Sequence, residues 1–217
     1  MTARLVEKEG FAALVLRLRA EGISDIDLLT AVEQTPRSLF VPPQFSDDAY
    51  STRTIPIECG SFLEGVDLAV RILHLLKVKP GQRVLEVGTG SGFTAAVIGR
   101  IAERVLTIDR YKTLTANAQR RMDQLGLRSI VVRQADGSNG LQGEGTFDRI
   151  LVTAAFNSMP RFYADQLVSG GSMIAPLMIS EDQCRMVRLT KTGSRFERDE
   201  LFDVPYLPIV PRLASQL

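Results

Sequence analysis

Cysteine and histidine are scarce: two cysteines, Cys59 and Cys184, and one histidine, His74, stand in 217 residues. Two cysteines so far apart do not make a disulfide framework, so a reducing, cytoplasmic setting is expected. With one histidine they cannot build a Cys/His zinc cluster, and no metal is expected. Both cysteines read as small hydrophobes, and His74 as an ordinary residue of a helix. An excess of charge is missing too. Lys and Arg number 26 and Asp and Glu 25, a net charge of +1, with no run of like charge. A large basic field for nucleic acid is therefore absent. No apolar run approaches the ~20 residues of a membrane span. Arg4, Glu7, Lys8, Arg17 and Arg19 break up the first apolar stretch, which argues against a secretory signal. There is no internal repeat and no low-complexity segment.

What is present is an ordinary soluble composition, 45% hydrophobic and 24% charged. A chain of this length buries roughly 70–75% of its unfolded surface without a staple. Two parts are expected: a helical lead-in with a long loop at residues 1–78, and an α/β part at 79–217, together one compact unit. In the lead-in, Leu5, Phe11, Leu14, Val15 and Leu18 approach a 3.6-residue period, which predicts a helix over 3–21. Ser24 is expected to cap a second helix, with Asp27 completing a capping box and Pro36 stopping it. Residues 37–65 hold Pro42, Pro43, Pro56, Gly60 and Gly65 and read as loop, an unusual length that points to function. A third helix is expected over 66–78.

After Lys79-Pro80-Gly81 the rhythm changes. Strands are expected at 83–88, 104–109, 129–135, 147–155 and 170–178, with helices at 93–102, 112–125 and 160–168 between them. Such alternation predicts a doubly wound, Rossmann-like parallel sheet covered on both faces. Residues 184–191 and 195–204 flank Thr192-Gly193-Ser194 and predict a closing antiparallel hairpin.

The first of these strands runs into VLEVGTGSGFTAAVIG, residues 84–99. A dinucleotide loop of G-x-G-x-x-G type would need its third glycine at 93, where Phe93 stands; Gly88, Gly90 and Gly92 alternate instead. Ligands of open parallel sheets sit beyond the carboxyl ends of the strands. Asp109 ends the next strand and can accept both hydroxyls of a ribose. Asp136 follows the third strand and can accept from an adenine amino group, with Gly137 letting the ring approach. Glu86, two residues before the first glycine, would oppose a pyrophosphate but suits a cation. A phosphate-free, cationic adenosine compound fits all of these, namely S-adenosylmethionine. The expected cofactor set is Glu86, Gly88, Thr89, Gly90, Ser91, Gly92, Asp109, Arg110, Asp136 and Gly137.

The chain also resembles the protein-L-isoaspartate O-methyltransferase family from about Leu18 to Pro208. The resemblance rests on GISDIDLLTAVEQTPRSLFVPP (22–43), AYSTRTIPI (49–57), VLEVGTGSGFTAAV (84–97), ADG (135–137), FDRILVTAA (147–155) and LVSGGSMIAPL (167–177). The lead-in ending in LFVPP is more specific than the glycine loop. The resemblance implies a Rossmann-like methyltransferase fold with an N-terminal helical part. It also implies binding of S-adenosylmethionine and methylation of L-isoaspartyl carboxylates in damaged proteins.

The acceptor side departs from the family. Its motif reads G-Q-T-I-S-Q-P, and this chain reads GSFLEGV from Gly60. Ser61 replaces the glutamine, Phe62 the threonine and Glu64 the serine linked to catalysis; Phe156 stands where proline often follows VTAA. Ser61, Glu64 and Thr153 are the acceptor-pocket candidates, and no catalytic residue is assigned. An isoaspartyl carboxylate is already ionised and needs positioning rather than a base. Glu64 beside it would repel it by about 4 kcal/mol at ~4 Å and an effective dielectric of ~20. Protonation, or turning toward Arg53 or another base, would relieve that. Three readings stay open: isoaspartyl methylation despite the altered loop, methylation of a hydroxyl or amine by a relative, and a cofactor-binding adaptor without transfer. The partner is a protein, peptide or small-molecule acceptor, and the oligomeric state is open.

Overall fold

The structure is a computed structural model, described from Ala3 to Ala214. Helix α1 (Ala3–Ala20) ends at Gly22, whose φ of +82° turns the chain. Helix α2 (Ile26–Glu33) is capped by Asp25, not Ser24: the Asp25 carboxylate accepts from the Leu28 amide at 3.0 Å. The shorter reach from Asp25 to the third amide of the helix decides between two adjacent capping residues. Residues 37–65 are not plain loop. They hold 3-10 turns at Arg37–Phe40, Pro43–Asp48 and Glu58–Gly60, and a small ribbon in which β1 (Ile55–Pro56) pairs antiparallel with β2 (Phe62–Leu63). Helix α3 (Val66–Leu76) stops where Lys77 turns left-handed, at φ +52°.

The main sheet follows, in the order β5-β4-β3-β6-β7-β8-β9. Strands β3 (Arg83–Val87), β4 (Arg104–Asp109), β5 (Ile130–Gln134), β6 (Phe147–Val152) and the start of β7 (Leu167–Met178) are parallel. Strands β8 (Cys184–Thr192) and β9 (Arg195–Asp203) complete the expected hairpin on the far edge. Helix α4 (Phe93–Ile98) links β3 to β4, and α5 (Lys112–Gln124) links β4 to β5.

Alternation along the strands divides the interior in two. Val84, Val105, Leu151, Ile174 and Met186 share one core with apolar residues of α1 to α4 and Met122 of α5. Apolar residues of the lead-in helices and of the α/β part thus share one core. Leu85, Val87, Leu106, Ile108, Ile150, Val152, Met173 and Val187 face the other way, toward Tyr163, Leu141 and Phe156. That second face is covered by loops and a 3-10 turn at Arg161–Gln166, where a helix over 160–168 is expected from sequence. Tertiary pairing overrides the local pattern there: strand β7 begins at Leu167 and takes the last residues. Strand β6 stops at Val152, three residues short of the expected end, because Ala155 and Phe156 turn out to meet the C-terminal segment and β7. Among the described residues no helix is long and apolar enough to cross a membrane.

Candidate active site

Strand order reverses at β3, with β4 on one side and β6 on the other. A cavity of about 450 Å³ opens at the carboxyl ends of these strands, as expected for a switch point. Its floor is the turn from Gly88 to Gly92. The Gly88 amide donates to the Ile108 carbonyl at 2.8 Å, and Gly88 holds φ +100°. A Cβ there would stand 2.2 Å from the Thr153 hydroxyl oxygen, which itself donates to the Gly88 carbonyl at 3.0 Å. Glycine is thus required twice, by dihedral angle and by space.

Asp109 ends β4 at the cavity wall, 9% exposed. One carboxylate oxygen accepts from the Gly90 amide and the other from the Tyr111 amide, both at 3.0 Å. Each oxygen keeps a second lone pair for a ligand hydroxyl. Burial raises its pKa, opposed by those amides. Asp136 accepts from the Ser138 amide at 2.8 Å and from the Arg212 amide at 2.6 Å. Burial pushes its pKa up, but these amides outweigh it and the net shift is downward. Beside it, a Cβ on Gly137 would lie 2.4 Å from Val87, so Gly137 packs on the sheet while its own edge lines the cavity.

Glu86 lies elsewhere. It is fully buried beneath the loop and does not line the cavity. Its carboxylate accepts from the Thr107 hydroxyl at 2.6 Å and from the Thr94 hydroxyl. While Glu86 is ionised, Thr107 gives it its one proton, and Thr89, 2.7 Å away, then donates to Thr107. The chain of hydroxyls ties loop, α4 and β4 together and leaves the Thr89 proton committed inward. Burial pushes the Glu86 carboxyl up to about 7, with the two hydroxyls opposing and Glu64 and Asp109 adding to the rise. The sequence placed Glu86 near the loop but not on which side: its parity along β3 is that of Val84, which faces the helices.

The opposite end of the cavity comes from the 59–64 turn, Arg37 and Tyr206. Ser61 and Glu64 both line it, and Glu64 is 7% exposed. Thr153 lines it as well, with its hydroxyl turned to the Gly88 carbonyl. Arg53 is exposed and not part of the wall; the cation nearest in influence to Glu64 is Arg37. Arg37 is 1% exposed, its guanidinium 4.2 Å over the Phe93 ring and its Nη2 donating to the Glu64 carbonyl at 2.7 Å. Burial lowers its pKa, and the charge of Glu64 opposes this.

One contribution was missed in the sequence. After β9 the chain returns across the cavity as an extended strap, and Tyr206 to Val210 line it. The strap is fastened by Ala155 to the Leu207 carbonyl and Ile209 to the Ala155 carbonyl, both 2.8 Å, and by Arg110 Nε to the Arg212 carbonyl at 3.1 Å. The signal was the spacing of Pro205, Pro208 and Pro211 among apolar residues, which suits extended chain rather than helix.

Fold and site together define a Rossmann-like methyltransferase. The family profile described as Protein-L-isoaspartate(D-aspartate) O-methyltransferase matches residues 9–214, and the chain belongs to that family. A protein-L-isoaspartate O-methyltransferase of Rhizobium meliloti is 68% identical over 204 residues, covering 94% of this chain and 100% of the relative. One of Azorhizobium caulinodans is 39% identical over the full length of both. Two solved structures share the fold at 22% identity. One is a protein-L-isoaspartate O-methyltransferase, TM-score 0.82, covering 94% of this chain and 67% of that one. The other is a candidate protein-L-isoaspartate O-methyltransferase of Plasmodium falciparum in complex with S-adenosyl-L-homocysteine, TM-score 0.79, covering 91% and 97%.

Proposed function

We propose that the cavity holds S-adenosylmethionine between Asp109, Asp136 and the Gly88–Gly92 turn, and takes the acceptor at the Ser61–Glu64 end. By family, the chain is an S-adenosylmethionine-dependent methyltransferase of the protein-L-isoaspartate type, acting on L-isoaspartyl carboxylates of damaged proteins. The residues fit that donor. The volume lies within the roughly 300–1,000 Å³ usual for small-molecule sites. The spare lone pairs of Asp109 suit a vicinal diol, and carboxylates at two walls disfavour a phosphate-bearing ligand. When bound, the sulfonium supplies an electrophilic methyl group.

The chain's own contribution is placement. Asp109 is aligned before any ligand arrives, because Gly90 and Tyr111 hold both its oxygens. Glu86 serves from below, fixing the loop through Thr94 and Thr107 rather than meeting the ligand. The strap forms one wall of the cavity. The acceptor carboxylate is ionised at neutral pH and needs no proton removed, so orientation of the two ligands is the main lever, with reacting atoms about 3–3.5 Å apart. Residues 1–78 act in this reading as one unit with 79–217, supplying the acceptor loop and Arg37 to a cavity whose other walls come from the sheet. A reducing, cytoplasmic setting suits its two free cysteines.

The observation that carries the residue assignment is the doubly anchored Asp109 beside the glycine turn. The test is a peptide carrying one L-isoaspartate, incubated with methyl-labelled S-adenosylmethionine. The expected product is a base-labile methyl ester on that peptide and none on its aspartyl counterpart. Label absent from the peptide but present on other cellular acceptors would replace the isoaspartyl carboxylate with a hydroxyl or amine.

A further inference from the structure

Arg37 is a buried cation with most of its hydrogen-bonding capacity unused. Nη2 reaches the Glu64 carbonyl, but Nε and Nη1 have no partner, although both are shielded from water. Glu64 attracts the guanidinium from the same wall, yet among the described residues the two side chains form no ion pair. A guanidinium has five N–H donors and no way to shed its charge. Leaving such donors unpaired inside a protein is costly, because each has given up its water. A second unpaired donor sits close by. The Tyr206 hydroxyl is buried and faces the Glu64 carboxylate without completing a hydrogen bond to it, and its ring stacks on Phe62 with centroids 6.3 Å apart. Both residues line the cavity.

We propose that Arg37 and Tyr206 form a receptor for a carboxylate carried by a ligand of this cavity, and that Glu64 neutralises Arg37 until that carboxylate arrives. This rests on the methyltransferase reading above. Donors converge, one is cationic, and the loss of Glu64's influence is what the incoming anion must overcome. Glu64 at the position of the family's serine is then a counter-charge rather than an obstacle. It makes the empty receptor neutral overall and sets how tightly a second anion is held. Two carboxylates meet this description: that of the isoaspartyl acceptor, and that of the amino-acid portion of the methyl donor.

Full-length wild type, R37Q, R37K, E64Q and Y206F answer the question in three measurements. These are the KM and kcat for the isoaspartyl peptide, and the Kd values of S-adenosylhomocysteine and of methylthioadenosine, which lacks the carboxylate. If the acceptor carboxylate is received, R37Q raises peptide KM at least thirtyfold, R37K recovers part of this, and Y206F raises it about threefold. E64Q lowers it about tenfold, and the two Kd values stay put. If the donor carboxylate is received, the same pattern falls on S-adenosylhomocysteine and spares methylthioadenosine. E64Q guards against misfolding of the Arg37 variants, since a structural defect does not tighten binding. The proposal is overturned if E64Q tightens neither ligand, or if R37Q weakens methylthioadenosine as much as S-adenosylhomocysteine. Wild type that leaves the peptide unlabelled counts against the isoaspartyl reading, and the proposal then stands only if R37Q weakens and E64Q tightens S-adenosylhomocysteine while sparing methylthioadenosine.

Discussion

The two ends of the cavity are built differently. At the end proposed for adenosine, Asp109 closes a strand and Asp136 comes soon after one, and backbone amides fill one site on each carboxylate oxygen. At the end proposed for the acceptor, Arg37, Glu64 and Tyr206 come from three distant segments, and Arg37 Nε and Nη1 and the Tyr206 hydroxyl have no hydrogen-bond partner. The first end is finished before a ligand binds, since its geometry is a by-product of sheet and turns. The second is completed only by what enters it. The contrast predicts that damage to the first end acts through backbone and fold, whereas changes at the second act through ligand affinity.

The harshest test of that contrast is Gly88→Ala. A non-glycine residue at φ +100° costs about 1–3 kcal/mol. The new methyl also meets the Thr153 hydroxyl oxygen at 2.2 Å, whose hydrogen bond to the loop would have to break. A loss of about 3 kcal/mol in unfolding free energy is expected, together with a cofactor affinity lower by about a hundredfold. Denaturant unfolding and calorimetry with S-adenosylhomocysteine measure the two effects. An unchanged affinity would mean that the turn does not shape the adenosine end.

Glu86→Gln separates the support beneath the loop from the cavity above it. In the folded chain the Glu86 carboxyl is raised from 4.5 to about 7 by burial. Between those values the folded protein holds a proton that the unfolded chain has released, so stability falls as pH rises through this window and levels off above it. The full difference corresponds to roughly 3 kcal/mol. Without ligand, Glu86→Gln is expected to match wild type near pH 4.5 and to exceed it by up to about 3 kcal/mol at pH 8. Urea midpoints at the two pH values check this. A parallel pH dependence in both proteins would show that Glu86 does not titrate in the window.

Asp109→Asn has a smaller effect. The amide cannot accept from Gly90 and Tyr111 and also offer two acceptor sites to a diol. Cofactor Kd is expected to rise tenfold to thirtyfold, about 1.4–2 kcal/mol. Equal losses for S-adenosylhomocysteine and for methylthioadenosine would place the effect at the ribose; a loss confined to the former would move it to the amino-acid end.

How much of this was legible in the sequence follows the same division. The sheet, the hairpin and the adenosine end are local in pattern: apolar runs, alternating glycines and acids at strand ends lie in consecutive stretches. The side of β3 that Glu86 occupies was not legible from its distance to the glycines alone, because parity along a strand, not spacing to a loop, decides which face a residue takes. Arg37 was read only as part of the 22–43 stretch and the start of the loop, and its place beside Glu64 depends on how α2 and the β1–β2 ribbon meet the sheet. The capping of α2 by Asp25 rather than Ser24 and the replacement of a helix by a 3-10 turn at Arg161–Gln166 are one-residue and one-turn decisions. The first is settled by the reach of a side chain to one helix amide, the second by the pairing of β7.

Asp136 sharpens the comparison most finely, because it belongs to the adenosine end and also fastens the strap that reaches the other. Its carboxylate accepts from the Arg212 amide, and Arg110 binds the carbonyl of the same residue. Asp136→Asn is expected to cost about 1 kcal/mol, through weaker hydrogen bonds to the two amides rather than lost packing. The carboxyl is held below its ordinary value, so the stability it contributes is present at neutral pH and is lost as pH falls below about 4. The variant should lack that acid-side component. A looser strap should also show as faster amide exchange at Ala155 and Ile209, whose N–H groups donate to the Leu207 and Ala155 carbonyls. Exchange confined to Ser138, with the strap as protected as in wild type, would mean that the Ala155 bridges hold it without help and that the two ends of the cavity are independent.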